Sequence, residues 1–224
     1  YESLSAIFRC SAEMGRTQNL EEFAQRLLSD LVQITSAEWF ILRLLKGESR
    51  LAVFTASERV AHFPTLPLSG PGEGIRSAEV QASRSLQDVW FEGEQTLAAS
   101  DPLRAMQPAG GGLVHPISHG DRFIGTLAVG KRACGAPFSA VHANVVHTFS
   151  DFLAIQISNM LLQEEQVHTR LISRELEIAS TIQRSLLPSR LPQLPGCRLA
   201  GFCESARQVG GDFYDVVPFN DHSL

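Results

Sequence analysis

Residues 112–131 read GLVHPISHGDRFIGTLAVGK, and this stretch decides the fold. Two apolar runs, LVHPIS and RFIGTLAVG, flank His119-Gly120-Asp121. A short glycine-containing break between two strand-like runs predicts a β-hairpin. Pro116 lacks a backbone donor, so its strand should lie at a sheet edge or be bulged there. His115 and His119 are spaced to share one strand face. Neutral imidazole is a common ligand for a metal or haem, but Pro116 and the neighbouring turn residues favour a polar edge.

Upstream, WFILRLL (39–45) is a continuous apolar run of strand length, followed by KGES and then LAVFTA (51–56). This predicts two strands joined by a turn at Gly47. Before them, Leu20, Phe23, Ala24, Leu27, Leu28, Leu31 and Val32 recur at helical spacing. Asn19 can cap that helix, with Glu22 completing a capping-box-like pair. A weaker helical pattern through Leu4, Ile7 and Phe8 stops near Gly15. Between the strand pairs, turn chemistry at Gly70 to Gly74 precedes a short helix near Ile75 to Gln81, and residues 98–112 read mostly as loop.

Downstream of Pro137 a long helix is predicted, with Ser139 as a plausible cap and a first apolar face of Val141, Val145, Phe149, Phe152 and Leu153. No Gly or Pro interrupts it before Pro188. Glu165, Ile172, Ala179 and Leu186 share one heptad position, and Leu161, His168, Glu175 and Ile182 share the other. Five of the eight are apolar, which suits a short, imperfect helical pair. Beyond Pro188, residues 197–205 and 210–219 read as two further strands.

The composition is 44% hydrophobic and 19% charged over 224 residues, enough for a packed core. The net charge of −5 argues against a nucleic-acid surface, which wants a basic stripe. Cys10, Cys134, Cys197 and Cys203 form no C-x-x-C pair, so they read as free thiols in a reducing compartment. The apolar run FLAIQISNMLL (152–162) is about half the length of a membrane span and carries Gln156, Ser158 and Asn159. A cytoplasmic protein with no membrane segment in this chain is expected.

The order helix, helix, two strands, irregular middle, hairpin, long exit helix resembles that of GAF domains. NLEEFAQRLLSDLVQITSAEWFILRLL (19–45), the 112–131 stretch and FSAVHANVVHTFSDFLAIQISNMLL (138–162) carry the likeness. It implies an α+β fold, a central antiparallel sheet with helices on both sides, over residues 1–163. It also implies a small-molecule sensor or a dimerisation module. Cyclic-nucleotide-binding members carry N-K…F-x-x-x-D-E. Here Gly130-Lys131, Phe138 and His142-Ala143 stand in those places, so no cyclic nucleotide is expected. A bilin would need a pocket cysteine, for which Cys134 is the candidate. The ligand itself stays unknown.

A second resemblance lies further on. Glu177, Ala179, Ile182, Gln183, Leu186, Leu187 and Pro188 fit E-x-A-x-x-I-Q-x-x-L-L-P, and LAGFCESARQVGGDFYD (199–215) follows. The pairing resembles the entry to RsbU/SpoIIE-type domains of the metal-dependent (PPM) serine/threonine phosphatases. It implies residues 164–188 as a helical signalling linker and 189–224 as the start of an α/β phosphatase sandwich. In that family carboxylates hold two Mn²⁺ or Mg²⁺ ions, and a bridging water attacks phosphorus. Asp212 matches the first metal-site acid and Asp215 the second. Gly210 and Gly211 would let the backbone turn unobstructed, while Phe213 and Tyr214 would pack or bound the site. The implied substrate is an anti-anti-sigma-factor-like phosphoprotein in bacterial partner switching, with a homodimer through the long helix. The family's later metal-site acids do not occur before Leu224, so no complete catalytic site is expected in these residues. The alternative is a non-catalytic GAF module regulating a different output.

Overall fold

A computed structural model describes residues 19–57, 63–68, 77–92, 96–106, 111–132, 135–193, 196, 198–205 and 207–217. The expected first helix, the Gly70–Gly74 turn, Cys10, Cys134 and Cys197 lie outside them. The chain divides into two compact units, Tyr1–Met160 and Leu161–Leu224.

In the first unit, α1 (Leu20–Thr35) begins as its sequence requires. The Asn19 carboxamide oxygen accepts the Glu21 N–H at 3.0 Å. The reciprocal half of the capping box is not made, because Glu22 instead takes Arg26 one turn on, at 2.6 Å. Phe23, Ala24, Leu27, Leu28 and Leu31 are buried, and Leu20 and Val32 pack beside them. Ser36, in the left-handed region at φ 54°, ends the helix and turns the chain straight into a strand.

Six antiparallel strands form one sheet in the order β3-β2-β1-β6-β5-β4. They are β1 (Ala37–Lys46), β2 (Arg50–Ala56), β3 (Leu66–Pro67), β4 (Val89–Phe91), β5 (Gly112–His119) and β6 (Arg122–Arg132). Gly47 and Gly120 take positive φ in the two predicted turns. Pairing of β4 with β5 stops at Val114, so Pro116 sits where β5 is an edge, as its missing N–H demands. A helix, α2 (Ala78–Ser85), and a 3-10 turn (Pro102–Met106) occupy the irregular middle, the latter within residues read as loop.

The last helix, α3, runs Ala140–Leu186. Ser139 stands at the cap position, its carbonyl accepting the Ala143 N–H and its hydroxyl meeting the His142 ring. The expected apolar face is met at Phe149 and Leu153, which are buried, and at Val145 and Phe152, which pack against the same core, while Val141 is 70% exposed and Val146 and Ile157 are buried in addition. By length and composition α3 could cross a membrane, with mean hydropathy 1.2 over its most apolar window, yet 39% of that window is buried inside the protein.

Alternation sorts the sheet's side chains between two cores. Phe40, Leu42, Leu113, Ile117, Leu127 and Val129 face α1 and α3. Trp39, Ile41, Val114, Ala128 and Phe91 face α2. This is the expected α+β architecture, with helices on both sides of an antiparallel sheet.

The second unit corrects the expected strands at 197–205 and 210–219. None of the described residues after α3 is in a strand. A strand needs neighbours for its N–H and C=O groups; here Gln183 of α3 takes up Gly210 and Asp212, and Cys203 Sγ also meets the Asp212 carbonyl at 3.9 Å.

Candidate functional site

The α2 face of the sheet holds a buried polar network. Arg43 sits mid-strand in the apolar run, opposite Thr126 on β6, and its side chain is fully buried. Glu79, from the first turn of α2, comes down onto it. Arg43 Nε donates to both Glu79 oxygens, at 2.8 and 2.9 Å, and Nη1 donates to the Pro64 carbonyl at 2.7 Å. The guanidinium also lies 5.4 Å from the centre of the Phe63 ring, within range of a cation–π attraction. Burial pushes the Glu79 carboxyl up to about 7, while the Arg43 charge pulls it back.

Asp101 fixes this arrangement from the other side. Its carboxylate accepts the Ala78 N–H at 2.7 Å and the Leu103 N–H at 2.9 Å, tying the start of α2 to the 3-10 turn. An acid at a helix start is favoured by the helix dipole. Burial still raises its pKa, against those two backbone bonds. Farther along, Trp39 and Phe91 stack with ring centres 6.2 Å apart. They lie on Gly130 and Gly112. A Cβ there would come within 2.2 Å of Trp39 and 2.3 Å of Phe91, so both positions require glycine. Among the described residues, Arg43 Nη2 and Trp39 Nε1 are buried donors without a partner. Buried donors normally find one, and these two are exceptions on this face. Arg43 was not singled out in the sequence; its position as the one charge in the apolar run WFILRLL is the signal that could have found it.

On the other face, at the β4–β5 end, three side chains meet. His115 Nδ1 lies 2.7 Å from one Asp88 oxygen, and His147 Nε2 lies 2.7 Å from the other. The two imidazole centres are 4.5 Å apart. Burial lowers the His115 pKa, and the Asp88 carboxylate opposes it. His119, beyond a register shift at Ile117–Ser118, is exposed and does not join them. His119 is thus exposed, whereas His115 is half-buried and paired with a carboxylate. Asp88 and His147 were not singled out in the sequence.

In the second unit, the two phosphatase-like motifs touch. Gln183 Nε2 donates to the Gly210 carbonyl at 2.8 Å and to that of Asp212 at 3.1 Å, and its oxygen accepts the Gly210 N–H at 3.0 Å. A Cβ on Gly210 would come 2.8 Å from Ser205 Oγ, whereas Gly211 has open space. Tyr214 lies against Gly201, and Phe213 is 74% exposed rather than packed. The Asp212 carboxyl is exposed, and Asp215 accepts the Val216 N–H at 2.8 Å. Among the described residues no third ligand joins these two acids. Hard divalent cations take six or more oxygen ligands, so these residues do not by themselves fit a two-metal site. The exposed thiol of Cys203 is free.

An antiparallel sheet between helices defines an α+β domain. The GAF domain family model matches residues 17–158, and the chain belongs to that family. Solved structures agree on the fold. The GAF domain of a phosphoenolpyruvate-protein phosphotransferase from Coxiella burnetii is 15% identical with a TM-score of 0.57, covering 73% of this chain and 97% of that one. The corresponding GAF domain from Acinetobacter is 14% identical with a TM-score of 0.55, covering 75% and 98%. Residues 122 to 287 of a methyl-accepting chemotaxis protein are 16% identical with a TM-score of 0.56, covering 69% and 98%. Among curated proteins no relative matches.

Proposed function

We propose that the chain is the sensory portion of a GAF-containing, metal-dependent phosphoserine/phosphothreonine protein phosphatase of the RsbU/SpoIIE type. The observation that carries this reading is the Gln183 clasp. The glutamine of the I-Q-x-x-L-L-P motif holds the backbone of the Gly-Gly-Asp motif through three hydrogen bonds. Two motifs that resemble one family's entry are thereby joined, at the end of a helix that begins in the sensor. Asp212 is the metal-site acid the resemblance assigns, and Asp215 the second. The remaining ligands for two Mn²⁺ or Mg²⁺ ions must come from elsewhere.

The GAF domain binds its ligand on the α2 face, and α3 carries the result toward the output. Leu171, Ile178, Ile182 and Leu186 are exposed apolar residues on the helix, which supports a homodimer through it. The substrate is an anti-anti-sigma-factor-like phosphoprotein, and the location is cytoplasmic. The test is made on the gene product that contains this chain. With Mn²⁺ it should release phosphate from a phosphoserine protein, and Asp212→Ala should abolish the release with the fold intact. Undiminished release by that variant, or none from the parent, sinks the reading.

A further inference from the structure

We propose that Asp88, His115 and His147 form a binding site for one divalent transition-metal ion, with zinc the ion that best suits the ligand set. Three separate elements deliver these side chains. Asp88 lies in the connection between α2 and β4, His115 on β5, and His147 on α3. One ligand atom from each lies within 4.8 Å of the others. A tetrahedral zinc holds its ligands at about 2 Å, and so at roughly 3.3 Å from one another. The 2.7 Å contacts have to open by a few tenths of an ångström, and the gap between the imidazoles has to close.

The donor set selects the ion. Two imidazole nitrogens and one carboxylate oxygen are borderline ligands that suit Zn²⁺, Co²⁺ or Ni²⁺, whereas Mg²⁺ and Ca²⁺ want oxygens. A fourth position is left for water. Without metal, the carboxylate can only accept, so Nδ1 of His115 and Nε2 of His147 carry the protons it binds. A metal that takes those two nitrogens requires each bound ring to carry its proton on the other nitrogen. The charges acting on His115 besides His147 are Asp88 and Asp151, both acidic, which favours a cation there. Because His147 rides on α3, an ion here pins the exit helix to the sheet edge. The site lies on the opposite face from the Arg43–Glu79 network, so it is separate from the small-molecule face.

Chelator-stripped protein is titrated with Zn²⁺ by calorimetry, and its melting temperature is followed with Zn²⁺ and with Mg²⁺. One Zn²⁺ per chain should bind, and Zn²⁺ alone should raise the melting temperature. His147→Ala and Asp88→Asn should each lose the ion, while His119→Ala keeps it. The His147 side chain is 38% exposed, so its variant should melt cooperatively without metal, which separates lost binding from lost fold. The proposal is overturned if wild-type protein takes up no stoichiometric Zn²⁺, if His147→Ala binds it undiminished, or if Mg²⁺ stabilises equally.

Discussion

The two faces of the central sheet are built from the same strands and do opposite things. Facing α1 and α3, the strands bury Phe40, Leu42, Leu113, Ile117, Leu127 and Val129, with Ser150 of α3 among them and the Asp88–His115–His147 cluster at the β4–β5 end. Facing α2, the same strands bury Arg43 and Thr126 beneath Glu79 and Asp101. Strand β1 supplies both faces: Phe40 and Leu42 to the first, Trp39, Ile41 and Arg43 to the second. The first face resists change because close-packed apolar groups tolerate no vacancy. The second carries polar groups whose burial is costly unless each is met.

The largest expected effect tests the apolar face. Phe149→Ala should cost roughly 3–5 kcal/mol in denaturant unfolding, through a cavity under α3. A loss below about 1 kcal/mol would mean that α3 is not anchored by this core.

On the polar face, Glu79→Ala should cost about 3 kcal/mol, mostly because it strands the buried Arg43 charge. Pairing it with Arg43→Met should recover most of that loss. If the double variant is as unstable as the single one, the cost lies in packing and the contrast between the faces disappears.

The pH dependence sharpens the same point. With the folded Glu79 carboxyl near 7 against an ordinary 4.5, the folded state holds its proton longer than the unfolded chain. The resulting stabilisation is full below 4.5 and is lost as pH rises through 7. Wild-type stability should therefore fall relative to Glu79→Gln across that window, by an amount on the order of 1–3 kcal/mol, and the difference should level off above it. A flat difference from pH 4 to 8 would show that Arg43 keeps Glu79 ionised throughout.

Smaller effects come from residues outside both faces. Asn19→Ala should lower stability by about 1 kcal/mol through loss of the α1 cap. The exposed Glu22–Arg26 pair should contribute only about 0.3–0.5 kcal/mol by double-mutant cycle, fading with salt. A larger coupling there would place surface charge on a level with the buried network.

Local pattern made much of the fold legible. The period of Leu20 to Val32 marks α1, and glycines mark the turns at Gly47 and Gly120. The face of α3 was legible at Val145, Phe149, Phe152 and Leu153, but not at Val141 and Val146, which are equally apolar and between which only the sheet selects. The tail strands were misread because alternation in LAGFCES states what a strand would bury, and no strand stands beside it among the described residues. The candidate sites were less legible still. Arg43 meets Glu79 across 36 residues, and Asp88 meets His115 across 27 and His147 across 59.

The sequence by itself determined the order of elements, the hairpin, the capped helix and the unbroken run of α3. Those follow from periodicity and from the backbone limits of Gly and Pro, which act over a few residues. Tertiary structure alone decided which face Arg43 occupies, whether Val141 or Val146 of α3 is buried and which histidine finds a carboxylate. Those outcomes depend on contacts between distant segments, and such contacts exist only once burial of the two apolar cores has brought the segments together.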